Sequence, residues 1–576
     1  MTSPDRHAAA MGAPTEPPAT PSLTGTRSSA DPQRQEPVEQ LGDFTATPRV
    51  IWIAALAVLI GAVSACIALA LLRLIGLFTN LFFFGRWNTA LVSPAGNRLG
   101  SWELFVPVGG ALVIGIMARY GSERIRGHGI PEAIEAILVN GSRVEPRVAL
   151  LKPISSAISI GSGGPFGAEG PIIMTGGAFG SMIAQFFHLT SVERKTLLVA
   201  GAAAGMSATF ASPIAAVLLS VELLLFEWKP RSLVPVALAS AAAGAARRYI
   251  LGLGPLFPVP AHPVFIGPAG LLGCVICGLL AGALSALLTG AVYAAEDSFL
   301  KLPIHWMWWP AIGGLVVGLG GLIFPQALGV GYDTIGALLQ GDVARKTIIG
   351  VLLVKSVIWA VSLGSGTSGG VLAPLLMMGG ALGGIEAMFL PYEGVGFWPL
   401  VGMGAILGGT MRSPLTGVIF ALELTHDINV LLPLLVASVI AHAFTVLVLK
   451  RSILTEKVAR RGYHLSREYA VDPLEILFVR DAMQADPGVA SSNGSAEPAG
   501  LVAYADEPLR VVVYRMAETG LTSFPVVDRN NGSQPVGRIS LQDLLSARAR
   551  DLSEERDRER VLRIRLPFAN RAKAEN

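Results

Sequence analysis

Cysteine is almost missing from these 576 residues: Cys66, Cys274 and Cys277 are the only three, each in apolar surroundings. So few thiols exclude a disulfide-built scaffold. Cys274 and Cys277 form a Cys-x-x-Cys, but no His or acidic residue lies near them in the chain, so the pair reads as helix packing and no metal site is expected. Charge is scarce too. Asp, Glu, Lys and Arg make up 15% of the chain and hydrophobic residues 52%, with a mean hydropathy of +0.56, against about 25% charged in an average soluble domain. An ordinary soluble globule is thereby excluded. A net charge of +3, with no stripe of basic residues interleaved with aromatics, excludes a nucleic-acid partner. The first 48 residues are rich in Pro, Ser, Thr and Ala and lack the apolar segment of a secretory leader, so they read as a disordered cytosolic tail.

What charge there is collects at one end: 19 of the 44 Lys and Arg, and 18 of the 41 Asp and Glu, fall in the last 126 residues. The pattern is a membrane body, in contact with lipid, followed by a polar extension. Apolar runs begin near Arg49 and end near Lys450, and they differ in length. Val50 to Phe78 can cross a bilayer with tilt, whereas Pro374 to Ala387 and Pro414 to Leu424 fall short of the ~20 residues a straight crossing needs. Short, Gly- and Pro-interrupted segments in matching places of two halves signify helices that stop midway and aim their ends at a shared site. Broken backbone at that depth survives where it lines a polar cavity or is buried in protein.

The two halves are visible as repeated phrases. Gly161–Gly180 aligns without gaps on Gly364–Gly383, with identities that include Gly161/Gly364, Ser162/Ser365, Gly167/Gly370, Pro171/Pro374, Met174/Met377 and Gly180/Gly383. Each copy is a glycine-rich turn, a proline suited to the first turn of a helix, and an apolar helical run. Uncapped backbone N–H groups at such a start, together with the helix dipole, attract anions. The copies differ where Glu169 in the first faces Leu372 in the second. Ser212–Glu222 and Ser413–Glu423 form a second repeated pair, in the same order. The membrane body is therefore placed at 49–457, in repeats of about 49–251 and 268–450 that are expected to be inverted relative to one another.

A linker at 458–478 leads to a different grammar at 479–550: an amphipathic helix at Asp506–Thr519, strands at Ser523–Val527 and Val536–Ile539, and a helix at Leu541–Arg550. This segment resembles a single CBS motif. The resemblance implies that Ser540 and Asp543 hold the phosphate and ribose of an adenine nucleotide; the simpler reading is a helix cap at Ser540. The remaining 551–576 is a mixed-charge tail.

Across 49–457 the chain resembles the CLC family of chloride channels and chloride/proton exchangers. Gly127-His-Gly-Ile-Pro-Glu132 is similar to that family's Gly-Ser-Gly-Ile-Pro-Glu, Gly167-Ala-Glu-Gly-Pro171 to its Gly-Lys/Arg-Glu-Gly-Pro, and Gly370-Val-Leu-Ala-Pro374 to its Gly-x-Phe-x-Pro, in the family's order. The resemblance implies an all-α integral membrane protein with two inverted repeats of broken, re-entrant helices, here with a small α/β CBS-like domain at the C-terminus. It also implies a homodimer with one path for chloride or another small anion per subunit, in a prokaryotic inner membrane with both ends cytosolic, and no catalytic activity. A dehydrated anion needs several donors, but a fixed cation would hold it too tightly for throughput, so backbone amides suit it. Gly127, His128 and Gly129, Gly167, Ala168 and Gly170, and Gly370, Val371 and Leu372 are the candidate amides. Glu169 takes the family's role of gate and proton carrier, a tethered carboxylate that substitutes for the anion.

Three positions depart from the family pattern. His128 stands where the family has a serine hydroxyl; an imidazole donates through either ring nitrogen and titrates near neutrality when unperturbed. Leu454 stands at the family's inner tyrosine, with Tyr463 nine residues further on. Leu223 replaces the inner proton glutamate of many exchangers, which leaves Glu222 or water as the proton route, or a passive channel with no coupling at all. A rival from another class is an intramembrane serine protease, with Ser368 in Gly366-Thr-Ser-Gly369 as nucleophile and His442 as base.

Overall fold

The computed structural model describes residues 47–138, 141–462, 474, 477–485, 502–529 and 535–554. The expected N-terminal tail up to residue 46, Tyr463, most of the linker and the tail from 555 onward lie outside the described residues. The chain divides into a unit at Phe44–Tyr469 and one containing Ala470–Asn576.

The larger unit is helical. Its first half runs α1 (Arg49–Phe84), α2 (Phe105–Tyr120), α3 (Ile130–Leu138), α4 (Pro146–Gly161), α5 (Glu169–Gln185), α6 (Ser191–Phe210), α7 (Pro213–Ser220) and α8 (Pro230–Ile250). The second half runs α9 (Pro268–Leu300), α10 (Trp309–Ile323), α11 (Tyr332–Gln340), α12 (Arg345–Gly350), α13 (Ser356–Gly364), α14 (Leu372–Glu386), α15 (Phe397–Met411), α16 (Pro414–Thr425) and α17 (Leu431–Val448), and α18 (Ile453–Arg460) follows. Among the described residues, six helical segments are long and apolar enough to cross a membrane, α1 and α9 among them. With 15 residues, α14 reaches only about 22 Å at 1.5 Å per residue, less than a hydrocarbon core of about 30 Å. It is one of the broken helices expected from its length.

The halves are built alike. α1 packs on α8 as α9 packs on α17, and α5 packs on α6 as α14 packs on α15. Both α5–α6 and α14–α15 crossings depend on paired glycines. A Cβ on Gly176 would strike the Gly201 carbonyl, and one on Gly379 would lie 2.5 Å from that of Gly402, the close backbone approach by which helices associate in lipid.

The halves also hold each other by reciprocal contacts. α7 and α16 both open on Ser-Pro, yet neither serine side chain caps its helix. The caps come from the opposite half. Glu423 accepts from the amides of Ile214 (2.9 Å) and Ala215 (2.8 Å), and Glu222 accepts from the amide (3.1 Å) and hydroxyl (2.5 Å) of Thr416. Swapping of equivalent partners in this way defines a local two-fold relation between the repeats.

The smaller unit is an α/β fold around Val479, Leu509, Val512, Phe524, Val526 and Ile539. Strand β1 (Ala503–Tyr504) pairs parallel to β2 (Ser523–Val527), which pairs antiparallel to β3 (Pro535–Ser540). The helix expected from Asp506 begins at Leu509 because Pro508, in extended backbone, precedes it, and the helix expected to end at Arg550 runs Leu541–Glu554. Ser540 and Asp543 are bound to each other. The hydroxyl and amide of Ser540 donate to Asp543 Oδ2 (2.5 and 2.8 Å), Asp543 N–H returns a bond to Ser540 Oγ (3.3 Å), and Gln484 fills Oδ1 (2.8 Å). That is the geometry of a reciprocal helix cap.

Burial works against ionisation of Asp543, but the bonds from Ser540 and Gln484 outweigh it and hold the carboxyl below the ordinary carboxylate range. A value depressed in the folded state stabilises above the unfolded value of ~3.9, and the contribution is lost as pH falls through the folded value. Asp543→Ala is expected to loosen Leu541–Glu554 by about 1 kcal/mol at neutral pH, the usual worth of a cap. Amide hydrogen exchange on the full chain reads this, and the difference from the parent closes in strong acid.

Candidate functional site

The two copies of the glycine phrase meet head to head. Gly167 and Gly370, equivalent in the repeat alignment, exchange both backbone bonds across an antiparallel bridge, N–H to O at 3.1 and 2.8 Å. The starts of α5 and α14 therefore face each other across the local two-fold. Glu169, at the first position of α5, has no exposed surface. Its Oε1 accepts the amide of Ala373 from the first turn of α14 at 3.1 Å, and its Oε2 is buried without a hydrogen-bond partner among the described residues. A side chain on Gly167 would collide with this carboxylate, and a Cβ on Gly370 would come within 2.7 Å of Oε2.

The third turn joins from α3. Gly129 has φ +92°, and a Cβ there would run into the Gly170 carbonyl; one on Gly170 would run into the carbonyl of His128. Glycine at both places seats the 127–129 loop directly on the residue after Glu169. The loop also reaches the second copy through a bridge between Gly127 and Ser368. His128 is 2% exposed and its Nδ1 is buried without a partner among the described residues. The ring nitrogen is thus not turned aside onto a carbonyl.

Not every expected amide is open to a ligand. Gly167 and Gly370 donate to each other, and Gly129 donates to Glu132 Oε2 at 2.8 Å. These three carry the architecture rather than the anion, which corrects their assignment as donors. Ala168, Gly170, Val371 and Leu372 make no backbone bond through N–H among the described residues. Ala373, which sequence reasoning passed over, donates to the carboxylate.

Sequence reasoning also missed two buried lysines. Lys152 in α4 donates to the carbonyls of Ile125 (2.8 Å) and Gly127 (2.7 Å); Lys355 donates to Ala327 (2.9 Å) and Gly329 (2.7 Å). Both are wholly buried. They stand 203 positions apart, the spacing of the glycine phrases, so a visible signal existed. Intramembrane charge is costly and functional by default.

Leu454 is buried at the start of α18, and beside it Tyr293 of α9 donates its hydroxyl to the Ile453 carbonyl at 2.5 Å. Leu223 is buried in apolar surroundings. A separate cavity of about 970 Å³ in the same unit is lined among others by Arg126, Glu132, Glu296, Lys457, Arg460 and Arg461. The pairing required by the protease reading is not formed. Ser368 Oγ bonds to the hydroxyls of Ser155 (3.2 Å) and Ser156 (2.8 Å), while His442 sits in α17, which packs on α9, α15 and α16.

Residues 109–446 match the family described as voltage gated chloride channel, and residues 479–550 match the CBS domain. A putative chloride channel protein, ClcB-like, of Ralstonia nicotianae is 30% identical over 363 residues, 61% of this chain and 84% of its own. An H(+)/Cl(-) exchange transporter, ClcA, of Yersinia pseudotuberculosis is 30% identical over 372 residues, 60% of this chain and 76% of its own. In fold, the chain is similar to a slow cyanobacterial Cl-/H+ antiporter, with a TM-score of 0.64 and 21% identity over 72% of this chain and 99% of that one. A CLC-type fluoride/proton antiporter gives 0.58 and 19%, over 70% and 97%.

Proposed function

Because this chain belongs to the CLC family of voltage-gated chloride channels, and with it carries anions across a membrane, we propose that it exchanges chloride for protons and that Glu169 is both gate and proton carrier. One observation carries this reading: a wholly buried carboxylate lies at two facing helix starts with an oxygen on the Ala373 amide. A carboxylate oxygen there occupies the place of a dehydrated halide and uses the same kind of donor. Displaced by chloride, or neutralised by a proton, it leaves Ala168, Gly170, Val371, Leu372 and Ala373 to receive the anion. His128 adds a side-chain donor from the third turn. A homodimer in a prokaryotic inner membrane, both ends cytosolic, completes the reading; a relative named an H(+)/Cl(-) exchange transporter supports the exchange itself.

Leu223 favours a second reading, a passive channel, because a hydrocarbon side chain relays no proton. Exchange requires a proton route that bypasses residue 223; Glu222 is bound to Thr416. Purified protein in liposomes, with chloride and proton movement recorded together, separates the readings. A reversal potential set by both gradients is expected; one set by chloride alone would establish the channel. In the same vesicles His128→Ser is expected to shift the chloride to nitrate flux ratio several-fold, since a hydroxyl replaces an imidazole against the anion. An unchanged ratio would remove His128 from the path.

A further inference from the structure

A third repeated element lies in the helices flanking the site. Gly127-His-Gly-Ile130 opens the nine-residue α3, and Gly329-Val-Gly-Tyr332 opens the nine-residue α11, 202 positions later. Lys152 clamps the first loop through the carbonyls of residues 125 and 127, and Lys355 clamps the second through those of 327 and 329. The two-fold relation thus extends to loops and lysines, and it exposes where the halves are unlike. Glu169 is the equivalent of Leu372, and Tyr332 the equivalent of Ile130. The pair Glu169 and Tyr332 is therefore the image of a pair made only of hydrocarbon, so the two polar departures occur together.

Their atoms are complementary and unsatisfied. Tyr332 Oη is buried and without a hydrogen-bond partner among the described residues, as is Glu169 Oε2. The tyrosine ring is held edge-on by Phe210 (6.5 Å) and Phe257 (6.0 Å). Lys355 gives two N–H groups to the Ala327 and Gly329 carbonyls, and an ammonium has three. A Cβ on Gly331, the residue before Tyr332, would lie 2.7 Å from Met377 Sδ and 3.8 Å from Lys355 Nζ, and Met377 is one helical turn beyond Ala373 in α14. Orphaned polar atoms in a buried site call for a reason; a carboxylate that leaves the Ala373 amide supplies one.

We propose that Tyr332 and Lys355 form the receiving site for the gate: when an anion takes the Ala373 amide, the Glu169 carboxylate turns to the Tyr332 hydroxyl and the third N–H of Lys355. This rests on the reading of Glu169 as the gate. Tyr332 is a positioning residue here, holding the displaced carboxylate so that the anion site stays clear. Removing its hydroxyl leaves the displaced carboxylate only the third N–H of Lys355 outside that site, and the carboxylate then competes more strongly with the anion.

The test is Tyr332→Phe in two backgrounds, with chloride efflux measured from liposomes. In the native background, turnover is expected to fall about tenfold, the effect of one hydrogen bond to a charged group. In Glu169→Ala, where no carboxylate has to be received, the same substitution is expected to change nothing. Equal slowing in both backgrounds would mark Tyr332 as merely structural, and no slowing in either would also overturn the proposal. Failure of the gate reading shows separately, as Glu169→Ala protein whose flux keeps the native dependence on the proton gradient. Because Lys355 also clamps its loop, its part is read from a bromide-soaked crystal of the native protein. A Glu169 oxygen is expected at ~3 Å from Tyr332 Oη and Lys355 Nζ, and its retention on Ala373 with bromide bound would contradict the proposal.

Discussion

Glu169→Gln protein reconstituted in liposomes is expected to pass chloride at a rate that no longer responds to an imposed proton gradient. The amide is nearly the same size as the carboxyl and keeps an oxygen for the Ala373 N–H, which lies 3.1 Å from Glu169 Oε1. It carries neither a negative charge to compete with chloride nor a proton to exchange. The acid is buried between two helix starts whose donors favour a negative charge, so ordinary hydrogen bonding is preserved and only the charge is lost. A proton gradient that drives uphill chloride movement in the native protein should drive none in the variant. Proton-driven chloride accumulation that survives the substitution would remove Glu169 from the mechanism.

The second large effect is expected from Lys152→Met. Lys152 is wholly buried and satisfies the carbonyls of Ile125 and Gly127 at 2.8 and 2.7 Å. Methionine fills similar space but donates nothing, so two buried acceptors are orphaned at about 1–3 kcal/mol each. The cost falls on the loop that presents His128 and seats against Gly170, so chloride flux should fall with stability, by about tenfold or more. Arg451→Met is the control. Arg451 is exposed and pairs with the part-exposed Glu456 at 3.4 Å, an arrangement worth about 0–1 kcal/mol at a solvated site. Thermal unfolding in detergent and efflux from liposomes measure both. Equal stability and flux for Lys152→Met and the parent would contradict the clamp.

The sequence made the membrane body, the short interrupted helices and the two halves legible, because length and glycine repetition are direct consequences of bilayer thickness and close backbone approach. The facing of Glu169 and the second copy was legible for the same reason. The Lys152 and Lys355 pair obeys the same 203-residue spacing yet was overlooked, since each is a single charge in a long apolar run without glycine around it. The Gly127 and Gly329 loops shift to a spacing of 202, and one residue of slippage hides a repeat whose shared members are only two glycines. The roles of Gly129, Gly167 and Gly370 were not readable at all. A glycine before a helix looks like a free donor until the structure shows which carbonyl or carboxylate it already serves. Nor does any local pattern announce that Tyr293 reaches the Ile453 carbonyl, 160 residues away, or that Glu222 and Glu423 cap each other's repeats.

Anomalous diffraction from Glu169→Ala crystals grown in bromide locates the anion outright. A bromide peak is expected where the carboxylate lay, within hydrogen-bond reach of the Ala373 amide and between the starts of α5 and α14. Bromide found only elsewhere, with that position empty at saturating concentration, would contradict a dehydrated anion held by the two facing helix starts.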